Sequence, residues 1–371
     1  MIQLGGLGLV TFATFFNFAL GKRLGLKSLQ LASESIGSDD FSSIKQLVGM
    51  VFKISMSCEL LGMLALMTVF VPKYGAYGIY ISLFLSISAF CNAGFDILGF
   101  ENEYISLTNY ADNPVVMITI MLLIICGGLG FIVWNDLFTY KKTKKLFLHT
   151  KLVLIATASL VIIGALGVVL MEWNNSKTIG DMSIPQKIWR ALFQSVTFRT
   201  AGFNTIDAAS MYDGTKLFSS ALMFIGAAPG STGGGIKVTT FVVLMATVFS
   251  VIRNRYDTII LKRRVEKEIV YKALAITVLA GLAVIITTSV IGLDKHGFKT
   301  VDIIFETSSA MATVGISAGV SGLGSSLSRI ALILTMFLGR VGPVSLAYSI
   351  TAGFANQKKN EIIPEGKIIV G

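Results

Sequence analysis

Three short turns carry the residue types and spacing best suited to chemistry. Asn92-Ala93-Gly94-Phe95-Asp96, Thr200-Ala201-Gly202-Phe203-Asn204 and Thr313-Val314-Gly315-Ile316-Ser317 fit one template: small or polar, Ala or Val, Gly, bulky apolar, polar. Glycine at the centre admits positive φ, so successive carbonyl oxygens can be aimed the same way. Loops of this kind gathered around one axis form a ring of oxygens, and such a ring replaces the hydration shell of a monovalent cation. A single glycine would read equally well as a packing residue, since Gly is common in membrane helices. Three matched turns whose glycines stand 108 and 113 residues apart mark an internal repeat instead.

A second candidate is the run Gly226-Ala227-Ala228-Pro229-Gly230-Ser231-Thr232-Gly233-Gly234-Gly235-Ile236-Lys237, whose Gly and Pro content is incompatible with a regular helix. It is not a phosphate loop, because Gly235 is followed by Ile236 rather than Lys and Val238 is neither Ser nor Thr. Arg340 stands within an apolar run, where a charge is costly unless it is paired or faces carbonyls or water. There it would repel cations; the alternatives are snorkelling or a structural ion pair. Glu59, Asp302 and Glu306 are intramembrane carboxylates and so functional candidates. For Glu306 the favoured role is structural, holding a turn through backbone amides. His149 and His296 lack metal-ligand company, and Trp134, Trp173 and Trp189 are expected to anchor the interfaces. No nucleophile, base and orienter constellation is present, so the reading excludes an enzyme.

The elements that must position these residues are membrane helices. Of 371 residues 53% are hydrophobic and 14% charged, with mean hydropathy +0.74, which excludes an ordinary soluble protein. Apolar runs at about 1–20, 46–71, 114–138, 150–171, 216–250, 273–293 and 328–355 are candidate spans. Shorter runs at about 78–91, 186–199 and 300–312 suit re-entrant helices, each leading into one glycine turn. After the turns a second signature recurs: Gly127-Gly128-Leu129-Gly130 and Gly339-Arg340-Val341-Gly342, matched near the start by Gly5-Gly6-Leu7-Gly8. The repeat logic places an earlier turn roughly 20 to 30 residues before Met1, so the expectation is a first unit lacking its outer helix, re-entrant helix and turn. With one quadrant of the cage empty, the polypeptide as given is expected not to form a selective pore by itself. The start lacks the basic n-region of a signal peptide. Cys58, Cys91 and Cys126 lie in apolar stretches and form no disulfide framework.

Charge placement sets the expected orientation. Of 31 Lys and Arg, 19 fall in segments 21–45, 139–151, 251–272 and 356–371, which are therefore assigned to the cytoplasm together with the C-terminus. Segment 96–113 holds Asp96, Glu101, Glu103 and Asp112 and no cation, as suits an outer mouth, so the turns are expected to face outside. The net charge of +10 thus reflects topology, and no nucleic-acid motif accompanies it.

With these residues in place, the chain resembles the Trk/Ktr/HKT superfamily of potassium transporters, within it the bacterial Ktr membrane subunit. The resemblance spans nearly the whole chain: Ser88-Ala89-Phe90 leading to Asn92-Ala93-Gly94-Phe95, Arg199 to Thr205, Glu306 to Ala310 leading to Thr313-Val314-Gly315, Pro229 to Lys237, Gly339 to Pro343, and the ending Pro364 to Gly371. Thr313-Val314-Gly315 is also similar to the Thr-Val-Gly of potassium-channel filters. The resemblance implies an all-α polytopic, pseudo-fourfold channel-like fold of outer helix, pore helix, filter turn and inner helix. The units are then 1–45, the inner helix of an incomplete first repeat; 46–148; 149–272, with an intramembrane gate loop; and 273–371, with a C-terminal tail. It implies channel-like potassium uptake through a filter at Asn92, Ala93, Gly94, Phe95, Thr200, Ala201, Gly202, Phe203, Thr313, Val314, Gly315 and Ile316. The implied gate is Gly226, Pro229, Gly230, Ser231, Thr232, Gly233, Gly234, Gly235, Lys237 and Arg340, with Glu306 as filter support. No cofactor is covalently bound; potassium is the substrate at the turns, with sodium a stimulating ion. All three turns keep Gly where Ser is associated in the family with sodium selectivity, which favours potassium. The implied partners are the bilayer of the cell membrane, a second copy in a homodimer, and a cytoplasmic ring of nucleotide-binding regulatory subunits. The alternative is a sodium- or proton-coupled secondary transporter with broken helices, though such folds usually show inverted repeats.

Overall fold

A computed structural model of the chain describes residues 1–8, 11, 13–15, 17, 44–102, 105–294 and 297–342. Most of the basic segment 21–45, Glu103, His296, Pro343 and the 356–371 tail lie outside the described residues. Helix α1 spans Ile2–Leu7. Then come α2 (Ile44–Tyr74), α3 (Ala76–Phe90), α4 (Pro114–Gly128), α5 (Phe131–Thr143), α6 (Leu148–Glu172), α7 (Ile184–Thr197), α8 (Asp213–Phe224) and α9 (Val238–Ile252). Two-residue strands β1 (Ile259–Ile260) and β2 (Arg263–Arg264) pair antiparallel, and a parallel bridge joins Ile225 to Ile236, small departures from an all-helical reading. Helices α10 (Lys267–Ile291), α11 (Thr300–Met311), α12 (Val320–Leu323) and α13 (Ser326–Val341) complete the fold.

Three triads emerge: α2 with α3 and α4, α6 with α7 and α8, and α10 with α11 and α13, each a long helix packed on a short one and on the helix after the turn. The short helices match the expected re-entrant runs closely. Local chemistry explains their ends. Gly75, at φ 59°, lets the chain fold from α2 straight into α3. A capping box between Ser183 and Gln186 starts α7, and the Asn113 side chain accepts from Val115 N and Val116 N ahead of Pro114 at the start of α4.

The post-turn helices depart from the expected spans. Among the described residues, unbroken helices long and apolar enough to cross a bilayer are the stretches Gln46–Tyr74, Leu148–Glu172 and Lys267–Ile291. The expected span 114–138 is instead two helices bent by 94° between Gly128 and Phe131. Span 216–250 is split into α8 and α9 around 225–237, and α13, within the expected span 328–355, ends at Val341, with 343–355 outside the described residues. The cause repeats: Gly8, Gly130 and Gly342, the last glycines of the three signatures, have φ of 84°, 88° and 93°, outside any right-handed helix. At the bend in α4/α5 the Trp134 indole donates to Cys126 O at 3.0 Å, so this tryptophan helps to pin the break.

Candidate functional site

The three turns start where α3, α7 and α11 end. Aligned peptide dipoles give each helix C-terminus a partial negative charge of about half a unit, and no basic side chain occupies the last turn of any of the three. Three such ends converging on one place favour a cation. Each turn repeats one backbone conformation, with left-handed φ at its first and third residues: Asn92 50° and Gly94 70°, Thr200 73° and Gly202 86°, Thr313 53° and Gly315 93°. The first residues are non-glycine, so this conformation is held against its intrinsic cost. Hydrogen bonds hold it: Ala93 N donates to Ser88 O at 2.9 Å and Val314 N to Ser309 O at 2.8 Å, with Ala201 N to Thr197 O at 3.0 Å in the second turn.

The turns touch in chain order. A methyl group on Gly94 would run into Ala201 O and stand 2.8 Å from Gly202 Cα; one on Gly202 would run into Val314 O and lie 3.1 Å from Gly94 Cα. Glycine is needed here twice, for its φ and for the close approach of neighbouring backbone. The Asn92 amide lies 3.2 Å from Thr200 Oγ1, and with its Oδ1 toward that hydroxyl its Nδ2 reaches Ala89 O at 3.1 Å. The bulky fourth residues diverge, with Phe95 exposed and Phe203 and Ile316 buried. Their carbonyls are anchored from behind in two turns, since Ser88 Oγ donates to Phe95 O and Thr197 Oγ1 to Phe203 O, both at 2.7 Å. In the third, Glu306, 4% exposed, accepts from Ser317 Oγ at 3.0 Å, Ala318 N at 2.9 Å and Ser321 N at 3.2 Å. Glu306 thus accepts from two backbone amides just past the third turn.

The broken segment 225–237 lies directly against the turns. A methyl group on Gly233 would meet the Thr200 hydroxyl, and one on Gly234 the Thr313 hydroxyl. Gly226 N donates to Ile236 O at 2.8 Å, closing the loop on itself, while Ala228 N reaches Gly128 O at 3.0 Å and Gly230 O accepts from Phe131 N at 2.8 Å. Thr232 Oγ1 donates to Phe90 O at 3.0 Å. Ser231 caps Ala228 O at 2.5 Å, and Pro229 and Gly235, the latter at φ 69°, complete the irregular path. Two cations grip the loop. Lys237 Nζ donates to Gly233 O at 2.7 Å; Arg340 Nη1 donates to Thr232 O at 2.6 Å and its Nη2 to Gly5 O and Gly6 O. Neither has a carboxylate partner among the described residues, and Arg340, exposed at the end of α13, turns to backbone carbonyls rather than to an ion pair. A cavity of about 950 Å³ opens against Gly230, Ser231, Gly233, Lys237 and Arg340, with His149, Arg264 and Lys272 also on its walls.

Asp302 is ion-paired with Lys216 at 2.6 Å, tying α11 to α8. Glu59 is buried on α2, with Oε1 lacking a hydrogen-bond partner among the described residues. Of the acidic residues after the first turn, Glu101 is paired with Lys73 at 2.9 Å and Asp112 with Arg190 at 3.1 Å, so part of that charge is already neutralised. Burial raises the Glu101 carboxyl, but hydrogen bonds from Tyr74, Asn109, Lys73 and Tyr110 outweigh it and bring the group down to about 2. The three cysteines are free thiols. Sequence reasoning assigned no role to Arg199, whose side chain reaches the loop at Gly226 O; its place immediately before Thr200 was the available signal.

Residues 1–360 match the model of the TrkH family, described as cation transport proteins. The chain belongs to the TrkH family. Ktr system potassium uptake protein B of Bacillus subtilis is 38% identical across 100% of this chain and 82% of its own length. The protein of the same name from Vibrio alginolyticus is 37% identical over 94% of this chain and 76% of that one. The potassium/sodium uptake protein NtpJ of Enterococcus hirae is 31% identical over 100% and 82%. In structure, the potassium transporter TrkH from Vibrio parahaemolyticus aligns with a TM-score of 0.68 over 96% of this chain and 71% of that one; at 17% identity this likeness shows the fold. A TrkH-family chain is a multi-pass membrane transporter and not an enzyme.

Proposed function

We propose that this TrkH-family chain carries potassium across the cell membrane by channel-like uptake, with the glycine-centred turns as the selectivity filter and the 226–237 loop with Arg340 as the gate. The observation that carries the reading is the repeated turn conformation: left-handed φ at the same two positions of three turns, each at the C-terminus of a short helix, each in contact with the next. Alternating backbone of this kind presents carbonyls to a dehydrated monovalent cation, and three helix ends add to the attraction. The loop packs under Thr200 and Thr313 and brings two positive charges with it, as a barrier to cations requires. Passive uptake is driven by the inside-negative potential, worth about 2.3 kcal/mol per charge per 100 mV.

The relatives named for potassium uptake and for potassium/sodium uptake support potassium as substrate with sodium as a second ion. A relative named as protein B of a Ktr system supports assembly with other subunits; in this reading they are a cytoplasmic nucleotide-binding ring on a homodimer of this chain, as the family resemblance implies. In this reading the repeat units are 1–45, 46–148, 149–272 and 273–371, the turns face outside, and the basic segments face the cytoplasm. The test is rubidium uptake by the protein as its gene encodes it, co-expressed with such a ring in a potassium-transport-deficient host. Saturable uptake that collapses with the membrane potential and ignores proton and sodium gradients is expected. Uptake that requires either gradient would replace the channel-like reading with a coupled carrier.

A further inference from the structure

Arg199 is an unusual charge. It directly precedes Thr200, the first residue of the second turn, and is 8% exposed. Its guanidinium has no carboxylate within ion-pair distance among the described residues. Its Nη2 donates to Gly226 O at 3.4 Å, while Nη1 has no hydrogen-bond partner among the described residues. A buried cation left in this state is expensive, and such groups persist where function needs them. Gly226 is the first residue of the irregular loop, and its own N donates to Ile236 O, so the carbonyl held by Arg199 belongs to the pair of residues that closes the loop.

A small cavity completes the picture. About 10 Å³ in volume, it lies between Ile124, Gly128, Thr157, Val196, Arg199 and Ala227, and so touches α4, α6, α7 and the loop. Thr157, 8% exposed on α6, also has a side-chain oxygen with no partner among the described residues. A space of that size with two polar partners meets the requirements of a single buried water. Two orphaned polar groups on one small cavity are the observation that a packing role for Arg199 does not explain, because an apolar residue would fill the space without them.

We propose that Arg199 is a positioning residue that latches the intramembrane loop to the second turn, sharing its guanidinium between Gly226 O and one water held with Thr157. The latch rests on the reading of the loop as a gate. Its physical content is that one side chain, rooted at a filter turn, holds the loop in the conformation packed beneath the turns. Release of the loop then requires giving up a charge-assisted hydrogen bond, which makes loop opening sensitive to the state of the turn.

The test uses the protein with its regulatory ring in proteoliposomes, comparing Arg199→Gln, Arg199→Lys and Thr157→Val. Without the latch the loop opens more often, so Arg199→Gln should raise the maximal rubidium uptake rate about tenfold, the equivalent of one charge-assisted hydrogen bond. The rubidium concentration at half-maximal rate and the preference for rubidium over sodium should stay within about twofold, the mark of a change in gating rather than in ion binding. Arg199→Lys, which keeps the charge and a donor, should lie between, and Thr157→Val should raise the rate about threefold through loss of the water's second partner. An unchanged maximal rate in Arg199→Gln inserted at normal levels overturns the latch, as does loss of selectivity at an unchanged rate. Should Arg199→Gln fail to insert, a wild-type rate in Thr157→Val overturns it. Hydrogen exchange of the 226–237 amides gives a readout independent of transport, faster in the variants if the latch exists. Absent uptake by the parent protein with faster loop exchange in the variants would defeat the transport reading and leave the latch standing.

Discussion

Gly127 and Gly128 are neighbours on α4, yet the structure predicts opposite outcomes for the same substitution. Gly→Ala within a helix gains about 1 kcal/mol of propensity at either position. A methyl group on Gly128 would stand 3.6 Å from Asn92 Nδ2 and 3.7 Å from Ala227 Cβ, ordinary packing distances. On Gly127 it would collide with Phe90 O and lie 2.8 Å from Thr232 Oγ1. Phe90 O cannot step aside, because Phe90 is the last residue of α3 and its carbonyl accepts the Thr232 hydroxyl at 3.0 Å. Forcing α4 away costs about 1–3 kcal/mol of overpacking and about 1 kcal/mol for the lost hydrogen bond. The two variants should therefore differ by about 2–4 kcal/mol, with Gly128→Ala at or above the parent and Gly127→Ala below it. Thermal unfolding in lipid nanodiscs measures the difference, and rubidium uptake shows whether the displaced loop contact at Thr232 alters gating. Equal stabilities, or a Gly127→Ala protein more stable than Gly128→Ala, would refute the claim that this glycine exists for the approach of α4 to the end of α3.

Further outcomes follow from the same geometry. Gly339→Ala repeats the Gly127 collision against Met311 O and should destabilise to a similar degree in the same unfolding assay. Glu306→Gln keeps the shape but places an amide NH₂ against backbone donors of Ala318 or Ser321; a loss of about 1.5–3 kcal/mol and of rubidium-over-sodium preference is expected in unfolding and competition-uptake measurements. Arg340→Gln removes a charge from beneath the turns and the grip on Thr232 O, so basal uptake should rise, an outcome read in flux without the regulatory ring. The Glu101 carboxyl lies below its ordinary value, so its stabilisation is complete above pH 4.5 and is lost only as pH falls toward about 2. Thermal stability attributable to this cluster should be flat from pH 7 to 5, and Lys73→Met, by moving the folded carboxyl back toward its ordinary value, should make the acid loss smaller and complete at a higher pH.

Residue order alone determined the repeats, the re-entrant helices and the class of the protein. These depend on local properties: apolar length, glycine placement and charge counts along the chain. Helices α3, α7 and α11 fall almost where the short apolar runs placed them, because each ends at a turn that only glycine-containing sequence can make. What local reasoning missed depends on neighbours distant in sequence. The 94° bend after Gly128 could not be seen in an apolar run that reads as one span, since it is held by Trp134 and by Gly230 O from the loop, about a hundred residues later in the chain. Arg340 read as repeller, snorkeller or ion-pair member until its acceptors, Thr232, Gly5 and Gly6, came into reach. Arg199 offered only its place beside Thr200, and packing alone joined it to Gly226 O and, across a small cavity, to Thr157. Periodicity reports what a segment prefers for itself; which carbonyl a buried cation finds is decided by helices from other repeats, and that required the tertiary structure.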